Sequence, residues 1–384
     1  MRIRKALVAV AVFAMCFILM SPLLAENHSN TAKVLTRNMY PGADLAVFAT
    51  VGDEGSFMAA VLATIDDINA SDIPERAAGI AAEIAKTKPD LVALQEATTW
   101  TIRGDSGTVV INQLDLLMKA LKASGQHYKI ALVQNLTDID MGVMAYADHD
   151  VILVRSDLPR SQLNILGSES HIYDSLLSFD VLGQEVSILR GWMAVDVSVC
   201  GSKFRFVNTH LESPFGDDYT KGVQVSQADQ LMEDLSETNL PIILAGDFNS
   251  DAENTHFYYP DVTDSYSHIV ASGFEDAWDE LRPRSRGYTW PLMLDNAPTA
   301  PIERIDLIFS SGPKAISIIM TGLDPLDGLH ASDHAGVLAV FDLLNHTFNH
   351  GRIPFYQRNQ SAHYGYHMPA SLLKHLRLLA FRRH

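Results

Sequence analysis

Six strand-length apolar runs in this chain each meet, at one end, a side chain able to bind a metal or a phosphate. The junctions read TRN (Asn38), LQE (Glu96), NTH (His210), GDFN (Asp247 and Asn249), RID (Asp306) and SDH (Asp333 and His334). Side chains alternate along a strand, so Asp247 and Asn249 share a face for as long as the strand continues. One is then an acceptor or base, the other a donor and acceptor. Gly, Asp and Asn are also turn residues, and any one junction alone fits a turn, a solvated cap or a structural histidine. Together they constrain the fold more tightly, because ligand sites in sheet proteins collect where strand ends converge.

The runs 33–39, 90–95, 128–134, 150–155, 188–199, 203–211, 241–246, 304–311, 315–320 and 336–343 read as strands by length, branching and bounding turns. Helical patterns lie between them. The segment 73–90 has Pro74 in its first turn and stops before Pro89, 111–125 ends on Gly125, and 222–237 is a third. VSVCGSKFRF reads as an antiparallel hairpin, which excludes a purely parallel doubly wound sheet. The expected fold class is α/β: a four-layer sandwich of two packed mixed β-sheets flanked by helices. Residues 41–74 form a long insertion beside the end of the first strand, a candidate lid or else surface packing.

Hydrophobic residues make up 47% and charged residues 20%, which excludes a disordered chain. Arg2, Arg4 and Lys5 precede ALVAVAVFAMCFILM and SPLLA, the pattern of a signal peptide over 1–25 cleaved near Ala25; the alternative is a retained anchor. Export to the periplasm or the exterior follows. Cys200 is then the one cysteine left, so no internal disulfide forms, and its place between two strands reads as structural. The expected catalytic body is 26–342. In 343–384 no acid follows Asp342, while Arg352, Arg358, Lys374, Arg377, Arg382 and Arg383 do, along with many histidines. PASLLKHLRLLAFRRH is a basic amphipathic pattern that reads as membrane-surface contact, as docking on the acidic body, or as a disordered extension. The whole chain carries a net charge of −17. Such a body repels polyanions at long range, so a phosphate-handling site needs a metal or a local island of positive charge.

The segments NTHLE, GDFNSD, ERIDLIF and SDHAGV, in that order within residues 33–342, resemble the endonuclease/exonuclease/phosphatase superfamily. These metal-dependent phosphoesterases include apurinic endonucleases, DNase I-like nucleases, inositol polyphosphate 5-phosphatases and neutral sphingomyelinases. TRNMYPGADL and RGW further resemble secreted bacterial members. The resemblance implies a DNase I-like fold and Mg²⁺, with Mn²⁺ as the alternative, held by Glu96 with Asn38 beside it. A divalent cation on a phosphate oxygen neutralises charge that repels water, and Mg²⁺ prefers oxygen ligands. It also implies that Asp247 orients or deprotonates the water and that Asn249 holds Asp247 and a phosphate oxygen. His334, preceded by Asp333, donates across the phosphorus. His210 is a second clamp, and Asp306 supports the metal and the histidines. Where relatives have an aromatic residue and Asn-Gly, this chain has MAYADHDVILVR, so Tyr146 and Asp150 are substrate-side candidates. Arg190 of ILRGWM is a phosphate ligand by the geometry of its fork, or a strand-edge ion pair. The expected activity is hydrolysis of a phosphodiester, nuclease-like or sphingomyelinase/phospholipase C-like, on nucleic acid or phospholipid. The alternatives are a phosphomonoesterase of inositol phosphates or nucleotides, and a non-catalytic binding protein on the same scaffold.

Overall fold

The computed structural model describes residues 30–215, 217–253, 263–292, 300–325 and 328–344. The expected signal peptide and all but the first two residues of the basic tail lie outside them. In chain order the elements are β1 (Thr31–Asn38), α1 (Glu54–Ala70), α2 (Ile73–Thr87), β2 (Leu91–Gln95), β3 (Thr99–Gly104), β4 (Gly107–Asn112), α3 (Gln113–Ala123), β5 (Tyr128–Asp140) and β6 (Met144–Arg155). There follow β7 (Leu163–Ile172), β8 (Leu177–Val181), β9 (Gln184–Ile188), β10 (Gly191–Val199), β11 (Ser202–His210), α4 (Asp218–Leu235) and β12 (Ile242–Asp247). The chain closes with α5 (Ser265–Ala271), β13 (Glu275–Asp276), α6 (Ala277–Leu281), β14 (Asp306–Ser311), β15 (Lys314–Thr321) and β16 (Gly336–Asp342). One sheet runs β15-β16-β1-β2-β6-β3-β4 with β5 on β6; the second runs β13-β14-β12-β11-β10-β7. The expected sandwich of two mixed sheets is the one found.

Alternation along the strands builds the layers. Val34, Ala93, Ile152 and Val154 of the first sheet meet Met193, Val195, Val197, Phe204, Phe206, Ile243 and Ile308 of the second in one buried core. Their strand neighbours Leu35, Val92 and Leu94 turn outward onto Ile80, Ala81 and Ile84 of α2. On the other side Trp192, Ala194, Leu244 and Phe309 pack against Ala228, Leu231 and Leu235 of α4. A period of two thus gives each strand one face for the partner sheet and one for a helix.

The helices begin and end where local chemistry requires. The Asp72 side chain caps α2, Pro74 sits in its first turn, and Lys88 ends it in the left-handed region before Pro89. Asp217 caps α4 through the amides of Tyr219 and Thr220. Gly125, at φ +74°, takes the position after the α3 cap that favours glycine. Cys200 at φ +49° and Gly201 at φ +94° make the tight β10–β11 turn, and Cys200 packs partly buried against the core.

At three places the structure adds to what the sequence suggested. The insertion 41–74 contains α1, opened by a reciprocal capping box between Asp53 and Ser56. Its Ala60, Val61 and Ile68 pack beside Trp100, Met144 and Tyr146, which makes this segment structural packing. The hairpin β3–β4, whose available signal was the alternating Trp100 and Ile102 and the turn at 105–107, was missed in sequence reading. The run 188–199 is two strands, interrupted at Leu189–Arg190.

Candidate active site

Strand register assembles the site. β11 and β12 are parallel with His210 opposite Asp247, and β12 and β14 are antiparallel with Asp247 opposite Asp306. His210, Asp247 and Asp306 therefore stand abreast on three adjacent strands. In the other sheet β1 and β2 are parallel, with Asn38 opposite Gln95, so Glu96 leaves at the same edge. Asn38 Nδ2 donates to Asp247 Oδ2 at 2.9 Å and joins the two sheets at their rim. One row deeper, Gln95 Nε2 donates to Asn208 Oδ1 at 2.6 Å, and Asn208 Nδ2 donates to the Leu94 carbonyl at 2.9 Å. The polar letters of NTH are therefore a buried cross-sheet lock as well as a site residue.

Local backbone turns point the side chains inward. Glu96 at φ +57° and Asn249 at φ +48° both occupy the left-handed region, which costs about 1–3 kcal/mol for a side-chain-bearing residue. The strand stops at Asp247, so the shared-face arrangement of 247 and 249 does not form. The backbone N–H of Asn249 donates to Asp247 Oδ1 at 2.9 Å, and its side-chain Nδ2 donates to the Leu211 carbonyl at 2.9 Å. Asn249 does hold Asp247, but through its main chain. Gly246 is required by contact: a Cβ there would lie 2.0 Å from the Thr209 carbonyl oxygen.

His334 is oriented by Asp306, whose Oδ2 lies 2.9 Å from Nδ1. Asp333 is the farther acid, 3.9 Å from Nε2. Arg37, the middle letter of TRN, is fully buried and donates to the His334 carbonyl while pairing with Glu83 at 2.9 Å. Arg76 of α2 donates to the carbonyls of Met39 and Tyr40 and, at 3.2 Å, to that of Ala331, tying the β1 exit to the SDH loop.

Protonation states are sorted by surroundings. Burial pulls the His334 imidazole down, but Asp306, Asp333 and Asp247 outweigh it and raise it well above the usual range. His210 is driven the other way, first by burial and then by Arg190 and His334, so its ring is neutral. Burial, opposed by His334 and reinforced by Asp306, brings Asp247 to about 6, a range suited to a general base. Glu96 is pushed up to about 8 by burial and by the nearby Asp333 and Asp148 carboxylates. Asp247, Asp306 and His334 also offer three ligand atoms within 4.8 Å of one another. The Nδ1 atom in that group is already bonded to Asp306.

A second cluster lies beneath. β6 buries Met144, Tyr146, Asp148 and Asp150 at alternate positions, so three core-facing places carry polar groups. Tyr146 packs tilted against Trp100, with ring centroids 4.9 Å apart, and feels Asp148, Glu96 and Arg190. Asp150 is buried as deeply as His210, Asp247 and Asp306, and among the described residues neither of its oxygens has a hydrogen-bond partner. Arg190 meets His210 Nδ1 at 2.8 Å, Glu212 at 3.6 Å and Asp148 at 4.0 Å. Asp148 and Glu212 were not singled out from sequence. The polar alternation in MAYADHD was the available signal for the first, and the position of Glu212 two residues after His210 for the second. Trp290, with its ring 6.4 Å from that of His334, carried no signal at all.

A sequence model of the Endonuclease/Exonuclease/phosphatase family matches residues 67–334, the span that holds all of this row except Asn38. The chain belongs to this family. Phosphoester hydrolysis is the reaction class of the family. Human tyrosyl-DNA phosphodiesterase 2 is 23% identical over 309 residues, 77% of this chain and 71% of that protein. An endonuclease/exonuclease/phosphatase family protein of Bacteroides thetaiotaomicron superposes with a TM-score of 0.53 at 19% identity, over 81% of this chain and 97% of that one. A mannosyl-6-phosphatase of the same organism gives 0.50 at 17% identity, over 80% and 98%. Both likenesses concern the fold.

Proposed function

We propose that the protein is an exported, divalent-metal-dependent phosphodiesterase that acts on nucleic-acid phosphodiesters. The observation that carries this is the row in which Asp247, brought to about 6, stands beside the Asp306–His334 pair. Asp247 accepts from Asn38 and from the Asn249 amide, so one carboxylate is aimed by two donors and is free to take a proton from water. His334, held charged by Asp306, donates to a non-bridging phosphate oxygen. His210 donates as a neutral group from the other side, which limits like-charge repulsion between the two rings. Preorganised donors of this kind stabilise charge that develops in the transition state.

The residues present fit a metal. Glu96 is crowded by Asp333 and Asp148, and a cation relieves that repulsion; the available donors are oxygens, as Mg²⁺ and Mn²⁺ prefer. Glu96 would hold the ion, with Asn38 beside it through an Oδ1 that also accepts from the Tyr40 amide at 2.8 Å. A bound cation supplies charge neutralisation at a phosphate oxygen.

The name of the human relative favours nucleic acid over phospholipid as the substrate class. The test is turnover of tyrosyl-DNA, plasmid DNA, RNA, sphingomyelin, a sugar phosphate and a bis-aryl phosphodiester, with Mg²⁺ or EDTA. DNA or RNA cleavage lost in EDTA and in Glu96→Ala is expected. Turnover that persists in EDTA refutes the metal, and turnover of sphingomyelin or the sugar phosphate alone refutes the substrate class. Export is checked on secreted protein, whose first residue is expected near Glu26. Liposome flotation of the full chain against 1–342 tests membrane contact by the basic tail.

A further inference from the structure

Arg190 stands between two buried carboxylates and the His210 ring. Its fork lies against Glu212 at 3.6 Å and Asp148 at 4.0 Å, so its charge is already shared by two buried carboxylates. Its remaining contact is with His210 Nδ1, at 2.8 Å from Nη1. A guanidinium has donors only and does not lose its proton in proteins. The ring nitrogen it meets must therefore present a lone pair. A ring that presents a lone pair at Nδ1 to a guanidinium carries at most one proton and is therefore neutral. A neutral imidazole bonded in this way at Nδ1 carries its one proton on Nε2.

The other side of the ring competes with this, because the Asn249 amide nitrogen beside Nε2 is also a donor. Asn249 Nδ2 is 3.3 Å from Nε2, longer than the Arg190 contact, and the same amide nitrogen donates to the Leu211 carbonyl at 2.9 Å. That bond fixes the Asn249 amide and leaves its nitrogen, not its oxygen, beside Nε2. If Nδ1 carried the proton, the charged and shorter contact would become a donor–donor clash. The shorter charge-assisted bond decides. Among the described residues the Nε2–H then has no acceptor in bonding range, and the carboxylates facing it at 3.6 and 3.9 Å are those of Asp247 and Glu96.

We propose that Arg190 is a positioning residue: by donating to Nδ1 it locks His210 in the Nε2–H tautomer and so aims a neutral donor at the phosphate oxygen. The RGW stretch supports it rigidly. Tyr173 N donates to the Arg190 carbonyl at 3.0 Å. Gly191 abuts the His171 carbonyl, where a Cβ would come within 2.3 Å, and Trp192 Nε1 donates to Asp234 at 2.9 Å. The role in catalysis rests on the phosphodiesterase reading; the tautomer does not.

The test is ¹⁵N NMR of histidine-labelled full-length protein, with His210 assigned by its loss in His210→Gln. The wild type is expected to show Nε2 protonated and Nδ1 bare, with or without Mg²⁺. Arg190→Lys, which keeps a charged donor, should keep that pattern and most of the activity. Arg190→Met should populate the Nδ1–H form and lower kcat about ten- to a hundredfold, with KM changed less than about twofold. A proton on Nδ1 in the wild type overturns the proposal without any substrate. So does an unchanged tautomer in Arg190→Met, or a rise in KM at constant kcat, which would make Arg190 a phosphate contact. If the Met variant does not fold, because Asp148 and Glu212 lose their counter-charge, the wild-type and Lys spectra still decide. An inactive wild type with the expected tautomer refutes the phosphodiesterase reading alone.

Discussion

Replacing Asp306 with Asn changes charge with almost no change in shape, and its consequences depend on pH in a direction the structure fixes. Asp306 Oδ2 lies 2.9 Å from His334 Nδ1, and both residues are buried. In Asp306→Asn the amide oxygen can still accept from Nδ1–H, so what is lost is the charge-assisted share of one hydrogen bond, about 2 kcal/mol. His334 is raised above its unfolded value. Its contribution is therefore fully present below about pH 6.5 and disappears as pH rises through the folded value. Asp247 adds a second effect of the same slope. Asp306 helps to raise it to about 6, and a carboxylate raised in the fold loses stability as pH climbs from about 4 to that value and bears the full cost above it. Removing the Asp306 charge relieves this above pH 6. The variant should thus be least stable relative to wild type near pH 5.5 and approach it only as pH rises through the folded value of His334, by about 2 kcal/mol in all. Urea denaturation in EDTA across that range measures it. With Mg²⁺ and a bis-aryl phosphodiester, kcat should fall about a hundred- to a thousandfold, since a transition-state donor loses its charge. An equal loss of stability at both ends of that range, or a kcat within about threefold of wild type, would refute the assignment of the pair.

Three further outcomes are expected. Glu96 keeps its proton up to about pH 8 in metal-free protein, so Mg²⁺ affinity by calorimetry should rise with pH, by up to about tenfold per unit, and level off above that value; Glu96→Gln should abolish the trend. Burial and Asp148 hold Asp150 well above 3.8, so its carboxylate should cost stability as pH rises from acid to neutral; Asp150→Asn should be about 1–3 kcal/mol more stable than wild type near pH 8, and a less stable variant would reveal a missed partner. Gly246→Ala forces β11 and β12 apart at the Thr209 carbonyl and should cost about 1–3 kcal/mol in urea denaturation along with most of the activity; an unchanged midpoint would contradict the close approach.

Much of the site was legible in the sequence because its residues sit at junctions, where a strand-length apolar run meets a polar letter. The runs leading to Asn38, Glu96, His210 and Asp247 are β1, β2, β11 and β12, and the hairpin at Cys200–Gly201 was specified by a short turn. Local signals also set the starts of α2 and α4, through Asp72 and Asp217. The segment 41–74 was not legible as a helix. The apolar spacing of α1 is blurred by small residues, and its packing partners Trp100, Met144 and Tyr146 lie far along the chain.

What the sequence determined by itself was therefore a family of strand ends bearing a carboxylate, an amide or an imidazole, and the class of chemistry such groups share. Which of them touch was decided by the tertiary structure, since that depends on register between strands distant in sequence. His210, Asp247 and Asp306 stand abreast because β11, β12 and β14 pair in one register, and a shift of one residue would turn each to the opposite face. Protonation was decided in the same way. His210 and His334 look alike as letters, yet one is neutral beside Arg190 and the other charged beside Asp306, because burial magnifies whichever neighbour the fold supplies.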